Sequence, residues 1–237
     1  MIWGSWLDEY DREARLVPAL LTILPLSLAA IGLGFEDNAI LVSVIAVLLT
    51  VGVPMVVAKQ VADRGRVIEA ALFAKWGAPP TTLMLVTPTD GPVGEILRQR
   101  RARLEGGSGI SLPTNPALAD SAIETYQAAV RWLIENTRDH TKFPVVWAEL
   151  KNYGFDRNTL GLRILGQVTS ALGVLALSAG ATAGALGADA SVWPNVVLAS
   201  VCTAVGLWWW RVPSEHRVRT AADRYAERLL DASALLP

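Results

Sequence analysis

Four long apolar runs constrain this chain more than anything else in it. They occupy residues 16–35, 39–58, 164–186 and 192–210, and none contains Asp, Glu, Lys, Arg or His. Each is close to the roughly 20 residues a helix needs to cross a hydrocarbon core of about 30 Å. A chain of 237 residues has too little soluble core to hide four such runs. The rest of the composition agrees. Hydrophobic residues make up 52% and charged residues only 18%, against about one-quarter charged in an ordinary soluble domain. The fold class expected is therefore an all-α membrane protein, with two transmembrane helical hairpins (four spans) and a mainly helical cytoplasmic domain between them.

The segment ahead of the first run carries Asp8, Glu9, Asp11 and Glu13. It lacks the basic character of a signal peptide's start, and a second apolar run follows after only Glu36-Asp37-Asn38. The two runs read as a hairpin with a tight outer turn. Residues 187–190 turn the second hairpin. All 21 Lys and Arg residues fall within residues 1–15, 59–163 and 211–237, and neither turn has any. Positive charge close to the spans marks the cytoplasmic side, and four spans place both termini on one side. The expected order is an interfacial helix (1–15), hairpin 1 (16–58), a cytoplasmic helical domain (59–163), hairpin 2 (164–210) and a cytoplasmic C-terminal helix (211–237). Arg outnumbers Lys and Ala is abundant, which suggests a bacterial genome rich in G and C. The expected location is the bacterial cytoplasmic (inner) membrane.

In the first segment, Ile2, Trp3, Trp6, Leu7 and Tyr10 share one helical face and charged residues the other. Trp3 and Trp6, with Trp208, Trp209 and Trp210 at the end of the fourth run, suit the headgroup region. The third run is rich in small residues. Gly180 and Gly184 form a G-x-x-x-G pair, and Ser200 and Ala204 a small-x-x-x-small pair in the fourth run. Such faces let helix backbones approach closely, within one bundle or between subunits. A homo-oligomer in the lipid bilayer is expected.

Between the hairpins, residues 59–76 read as a helix that stops at Gly77 before Pro79-Pro80. Residues 81–86 are a short apolar run, helix or strand. Residues 92–104 read as a helix. Another begins near Asn115-Pro116 with the stripe Ile123, Tyr126, Val130, Leu133 and Ile134. Residues 143–152 read as a helix broken by Tyr153-Gly154. The last helix, 211–230, carries Val218, Ala222, Tyr225 and Leu229 on one face.

A set of short motifs runs through most of the chain. It comprises Tyr10, Ala14-Arg15-Leu16 and Pro18-Ala19-Leu20; Trp76-Gly77 and Pro80-Thr81-Thr82; Val130-Arg131-Trp132-Leu133, Thr137-Arg138-Asp139 and Phe143-Pro144; and Asn152-Tyr153-Gly154-Phe155 with Arg157-Asn158 and Gly161-Leu162. On these residues the chain resembles a family of small uncharacterised bacterial four-span membrane proteins, with a Tyr-Gly-Phe-x-Arg-Asn motif before the third span. It departs from that pattern where an acidic pair is expected before the Tyr-Gly-Phe, since only Glu149 is present. The resemblance implies topology and names no reaction.

Catalytic signals are nearly absent. The sequence has no phosphate-binding loop, dinucleotide fingerprint, H-E-x-x-H or cysteine pair. His140 and His216 are the two histidines, and Cys202 is the one cysteine. No metal, cofactor or enzymatic activity is expected. A net charge of −1 gives no field for nucleic acid. The spans lack the ionisable residues of a proton relay. Two polar sets remain. Arg98, Arg100, Arg101 and Arg103 suit anionic headgroups, a phosphate ligand, or simply water. Arg131, Arg138, Asp139, Tyr153, Arg157 and Asn158 gather near helix ends, as a structural network or a pocket. The function expected is a non-enzymatic membrane effector or sensor that oligomerises and alters permeability in response to a cytoplasmic signalling partner or a nucleotide ligand. By analogy of architecture alone, anti-phage defence is a fitting setting. The alternative is a structural or scaffolding subunit of a membrane complex without a pore.

Overall fold

The computed structural model describes residues 9–34, 53–86, 91–113, 120–188 and 191–236. Among them every regular element is helical. A π-helix, Asp11–Leu16, leads into α1 (Val17–Gly32). Then come α2 (Val53–Trp76), α3 (Pro80–Val86), α4 (Gly91–Ser108), α5 (Asp120–Asn136), α6 (Pro144–Ala185), α7 (Val192–Arg211) and α8 (Glu215–Ala232), with a 3-10 turn at Ser233–Leu235. Three stretches are long and apolar enough to cross a membrane: Asp11–Gly32, Pro144–Ala185 and Val192–Arg211. Residues 39–52 of the second apolar run, the turn at 36–38, Trp3, Trp6 and Asn115 lie outside the described residues. The chain forms two compact units: Met1–Ile68 with Gly154–Ser214, and Glu69–Tyr153 with Glu215–Pro237. Both α2 and α6 contribute to each.

In the apolar unit, Pro18 sets the local structure at the start of α1. Proline has no N–H, so a carbonyl one turn earlier loses its helical donor. The backbone adapts by widening, and the Val17 N–H reaches Arg12 O in the π register. Asn158 on α6 supplies a donor from outside, its Nδ2 lying 2.7 Å from Ala14 O. Further along, Thr169 Oγ1 donates to Thr22 O at 2.6 Å and Cys202 Sγ to Pro25 O at 3.7 Å. These bonds tie α1 to α6 and α7 without exposing polar backbone to an apolar surround.

Glycines at seven-residue spacing let α6 pack this closely. A Cβ on Gly166 would collide with the Trp209 ring. One on Gly173 would lie 2.9 Å from Pro25 O, and one on Gly180 2.9 Å from Asn195 Nδ2 and Leu33 Cδ2. Seven residues return nearly to the same helix face. Two small cores result: Ala19, Val61, Leu162 and Trp209, and Ala29, Leu177 and Cys202. The outer faces of α6 and α7 stay apolar, with Ile164 76%, Leu175 67% and Val197 59% exposed. Apolar surface this extensive needs a membrane or a partner.

The second unit has a conventional core, with Leu85, Leu104, Tyr126, Leu133, Leu229 and Leu230 packed together. The short run 81–86 is helical, and α3 packs on α5 and α8. Gly77, at φ 90°, makes the turn that releases α3 from α2. Expectation and structure part at Tyr153-Gly154. No break occurs there, and α6 runs through from Pro144 to Ala185. The glycine provides room instead: a Cβ on Gly154 would lie 2.6 Å from Tyr10 Oη and 3.0 Å from Ala14 Cβ.

Candidate functional site

Five helices contribute residues of the second unit, with the Pro79-Pro80 turn, to a cleft of about 380 Å³. The end of α2 brings Glu69 and Phe73. The start of α3 brings Thr81 and Thr82. From α5 come Gln127, Val130, Arg131 and Ile134, at the i, i+3, i+4, i+7 spacing of one helix face. Tyr153 comes from α6, and Ala222 and Tyr225 from α8. Tyr153 and Tyr225 lie parallel within 1°, their ring centroids 6.2 Å apart. The Tyr153 hydroxyl donates to Glu69 Oε1 at 2.5 Å. Arg131 is exposed, and among the described residues its guanidinium has neither a hydrogen-bond nor an ion-pair partner. The lining is thus largely apolar and aromatic, with an engaged carboxylate and a free guanidinium. No histidine, cysteine, lysine or aspartate is among the lining residues.

Of the residues singled out by sequence, Arg131 and Tyr153 meet in this cleft. Arg157 and Asn158 are buried in the apolar unit beside Gly65. Arg157 Nε lies 3.4 Å from Asn158 Oδ1, and Asn158 holds Ala14 O. Arg138 is exposed. Asp139 closes the turn before α6, accepting from the N–H groups of Thr141 at 2.9 Å and Lys142 at 3.3 Å. Those two donors hold its carboxyl below the usual Asp range. His140 packs against the Trp147 ring at 5.6 Å. Among the described residues no group of three or more His, Cys, Asp and Glu is arranged to hold a metal ion.

The basic cluster on α4 does not present one surface. Arg101 donates to Leu85 O at 3.1 Å and Pro113 O at 2.6 Å, and lies over the Tyr126 ring. Arg100 pairs with Asp231 at 2.5 Å. Arg98 pairs with Glu95 at 2.7 Å, both in solvent, and Arg98 holds the Glu95 carboxyl below its ordinary value. Only Arg98 and Arg103 of the four are exposed.

The small-residue pairs also divide. Gly180 faces Asn195 and Leu33 of its own chain. Gly184 is half-exposed, and Ser200 and Ala204 lie on the exposed face of α7. Trp209 is fully buried, Trp208 half-buried with its ring edge-on to Trp209, and Trp210 exposed.

Sequence reading did not single out Glu69, Phe73, Thr81, Thr82, Gln127 and Tyr225 as a site. Tyr225 already stood in the apolar stripe of the last helix, which reads as core. Compared with known proteins, the chain matches no family model, no curated protein and no solved structure.

Proposed function

We propose that this chain is a non-enzymatic effector or sensor of the bacterial inner membrane, related to the small four-span family its motifs resemble. Residues 39–58 form the second of four spans, both termini and residues 59–163 face the cytoplasm, and the spans assemble with those of other copies. A small ligand bound in the cytoplasmic unit shifts the assembly and changes membrane permeability. Anti-phage defence is one setting that suits such a device. The observation that carries the reading is the cleft of the second unit. It offers ring faces and a free guanidinium in a chain whose other unit has extensive exposed apolar faces. A binding pocket of this kind, without a nucleophile–base pair, suits recognition better than turnover. The helices α2 and α6 belong to both units and give the covalent link that a response requires.

The test is purified protein in liposomes loaded with a small dye, together with mass measurement in nanodiscs. An oligomer whose dye release depends on substitutions in the cleft is the expected result. A strict monomer that leaks under no condition leaves the scaffolding alternative. One observation favours that alternative: Val93 and Ile96 stand 65% and 51% exposed on α4. They line a groove with Leu83, Met84 and Leu97 on one side and the charged Arg100, Arg219, Asp223 and Glu227 beside them.

A further inference from the structure

The charges of the cleft point to what it takes. Its lining holds one carboxylate and one guanidinium, Glu69 and Arg131. They are not equivalent. Glu69 already accepts the Tyr153 hydroxyl at 2.5 Å, whereas Arg131 is exposed and has no partner among the described residues. Arg131 is therefore the charged group of the cleft whose donors are all left over. An organic cation, which aromatic rings with an open carboxylate would favour, meets a carboxylate in use and an unopposed like charge. An anion meets a planar fork of donors suited to carboxylate or phosphate.

The remaining surface selects for shape. Phe73, Tyr153 and Tyr225 bring three rings to one cleft, two of them parallel. Tyr153 is buried, so the half-buried Phe73 and Tyr225 offer the ring surface on which a flat partner stacks. A volume of about 380 Å³ is near the small end of ligand pockets, which suits a single ring system with a short tail. A bare inorganic anion would leave the aromatic surface uncovered. A neutral ring would leave Arg131 unused.

We infer that the cleft binds a small planar aromatic or heteroaromatic ring bearing an anionic group, with the ring on Tyr225 and the anion on Arg131. This rests on the sensor reading for its purpose and not for its chemistry. The anion is a carboxylate or a phosphate.

The full chain in nanodiscs is examined by equilibrium dialysis. The probes are indole-3-carboxylate with its neutral carboxamide, adenosine monophosphate with neutral adenosine, inorganic phosphate, and phenyltrimethylammonium. At least one charged ring should bind saturably and about tenfold more tightly than its neutral partner, the scale of one charge-assisted hydrogen bond. Whichever series shows this identifies the anion. Arg131→Gln should erase the preference without altering the circular dichroism, because Arg131 is exposed. Tyr225→Ala should weaken both members of the pair, and Tyr225→Phe should restore them. The inference is overturned by equal binding of charged and neutral rings, by tightest binding of phenyltrimethylammonium or phosphate alone, or by saturation with no probe. Dye release separates the two proposals. Binding of a ring anion without any change in permeability or assembly keeps this inference and ends the sensor reading. A response triggered by the cation alone does the reverse.

Discussion

Two asparagines lie fully buried in the apolar unit, and they are held in opposite ways. Asn158 is matched: its Nδ2 reaches Ala14 O at 2.7 Å, beside the turn where Pro18 cannot donate. Asn195 on α7 is not matched. Neither its Oδ1 nor its Nδ2 has a partner, although it packs against Gly32 and Gly180. The same side chain is thus adhesive in one place and a cost in the other. Burial alone does not make a polar residue stabilising. What counts is whether a backbone group has been left free opposite it. Near Pro18 such a carbonyl exists. Beside Asn195, glycine gives room but no polar group.

Substitutions can break or sharpen this contrast. The largest effect is expected from Gly65→Leu. A Cβ there would collide with Asn158 Oδ1 and lie 3.2 Å from Arg157 Nε. Both overpacking and the lost amide bond then count, together about 3 kcal/mol or more. Thermal unfolding in nanodiscs measures it, and a midpoint close to wild type would mean that the contact at Asn158 is loose. Asn158→Ala comes next, at about 1–2 kcal/mol, because it leaves the Ala14 carbonyl unpaired without adding a clash. Asn195→Leu should have the opposite sign. It removes two unpaired buried atoms and keeps the branching at Cγ, so stability should rise by about 1 kcal/mol. A loss as large as that of Asn158→Ala would show that Asn195 is paired in the lipid-embedded protein.

Asp139 gives the smallest effect and extends the contrast to water. Its carboxylate accepts two backbone N–H groups, much as Ala14 O accepts Asn158, yet it is exposed. Its folded value is lowered, so whatever stability it adds is present above the unfolded value of about 3.9. That contribution is lost as pH falls through the lower folded value. Asp139→Asn should flatten only this acid end of the stability profile. A visible change near neutral pH would contradict the assignment.

Much of the fold was legible because helix periodicity and unbroken apolar runs are local signals. The run at 164–186 lies within α6 but for its last residue, that at 192–210 within α7, and the last helix buries Val218, Ala222 and Leu229 as its stripe requires. Tyr153-Gly154 misled because a helical glycine looks like a break until its neighbours Tyr10 and Ala14 are known. The site was legible only in part. Arg131 and Tyr153 stood out as polar residues near helix ends. Their partners Glu69 and Tyr225 come from helices 84 and 72 positions away from Tyr153, and no spacing connects them. Arg157 and Asn158 sit in the same motif as Tyr153 but in the other unit, since the division falls between Tyr153 and Gly154.

Membrane topology is the claim on which the proposed function depends most. Reporter fusions placed after Phe35, Arg100, Gly187 and Pro237 test it in one experiment. External signals at Phe35 and Gly187, with internal signals at Arg100 and Pro237, are the expected result. An internal signal at Phe35 or Gly187 would contradict the four-span arrangement, and an external one at Arg100 would also remove the cleft from the cytoplasm.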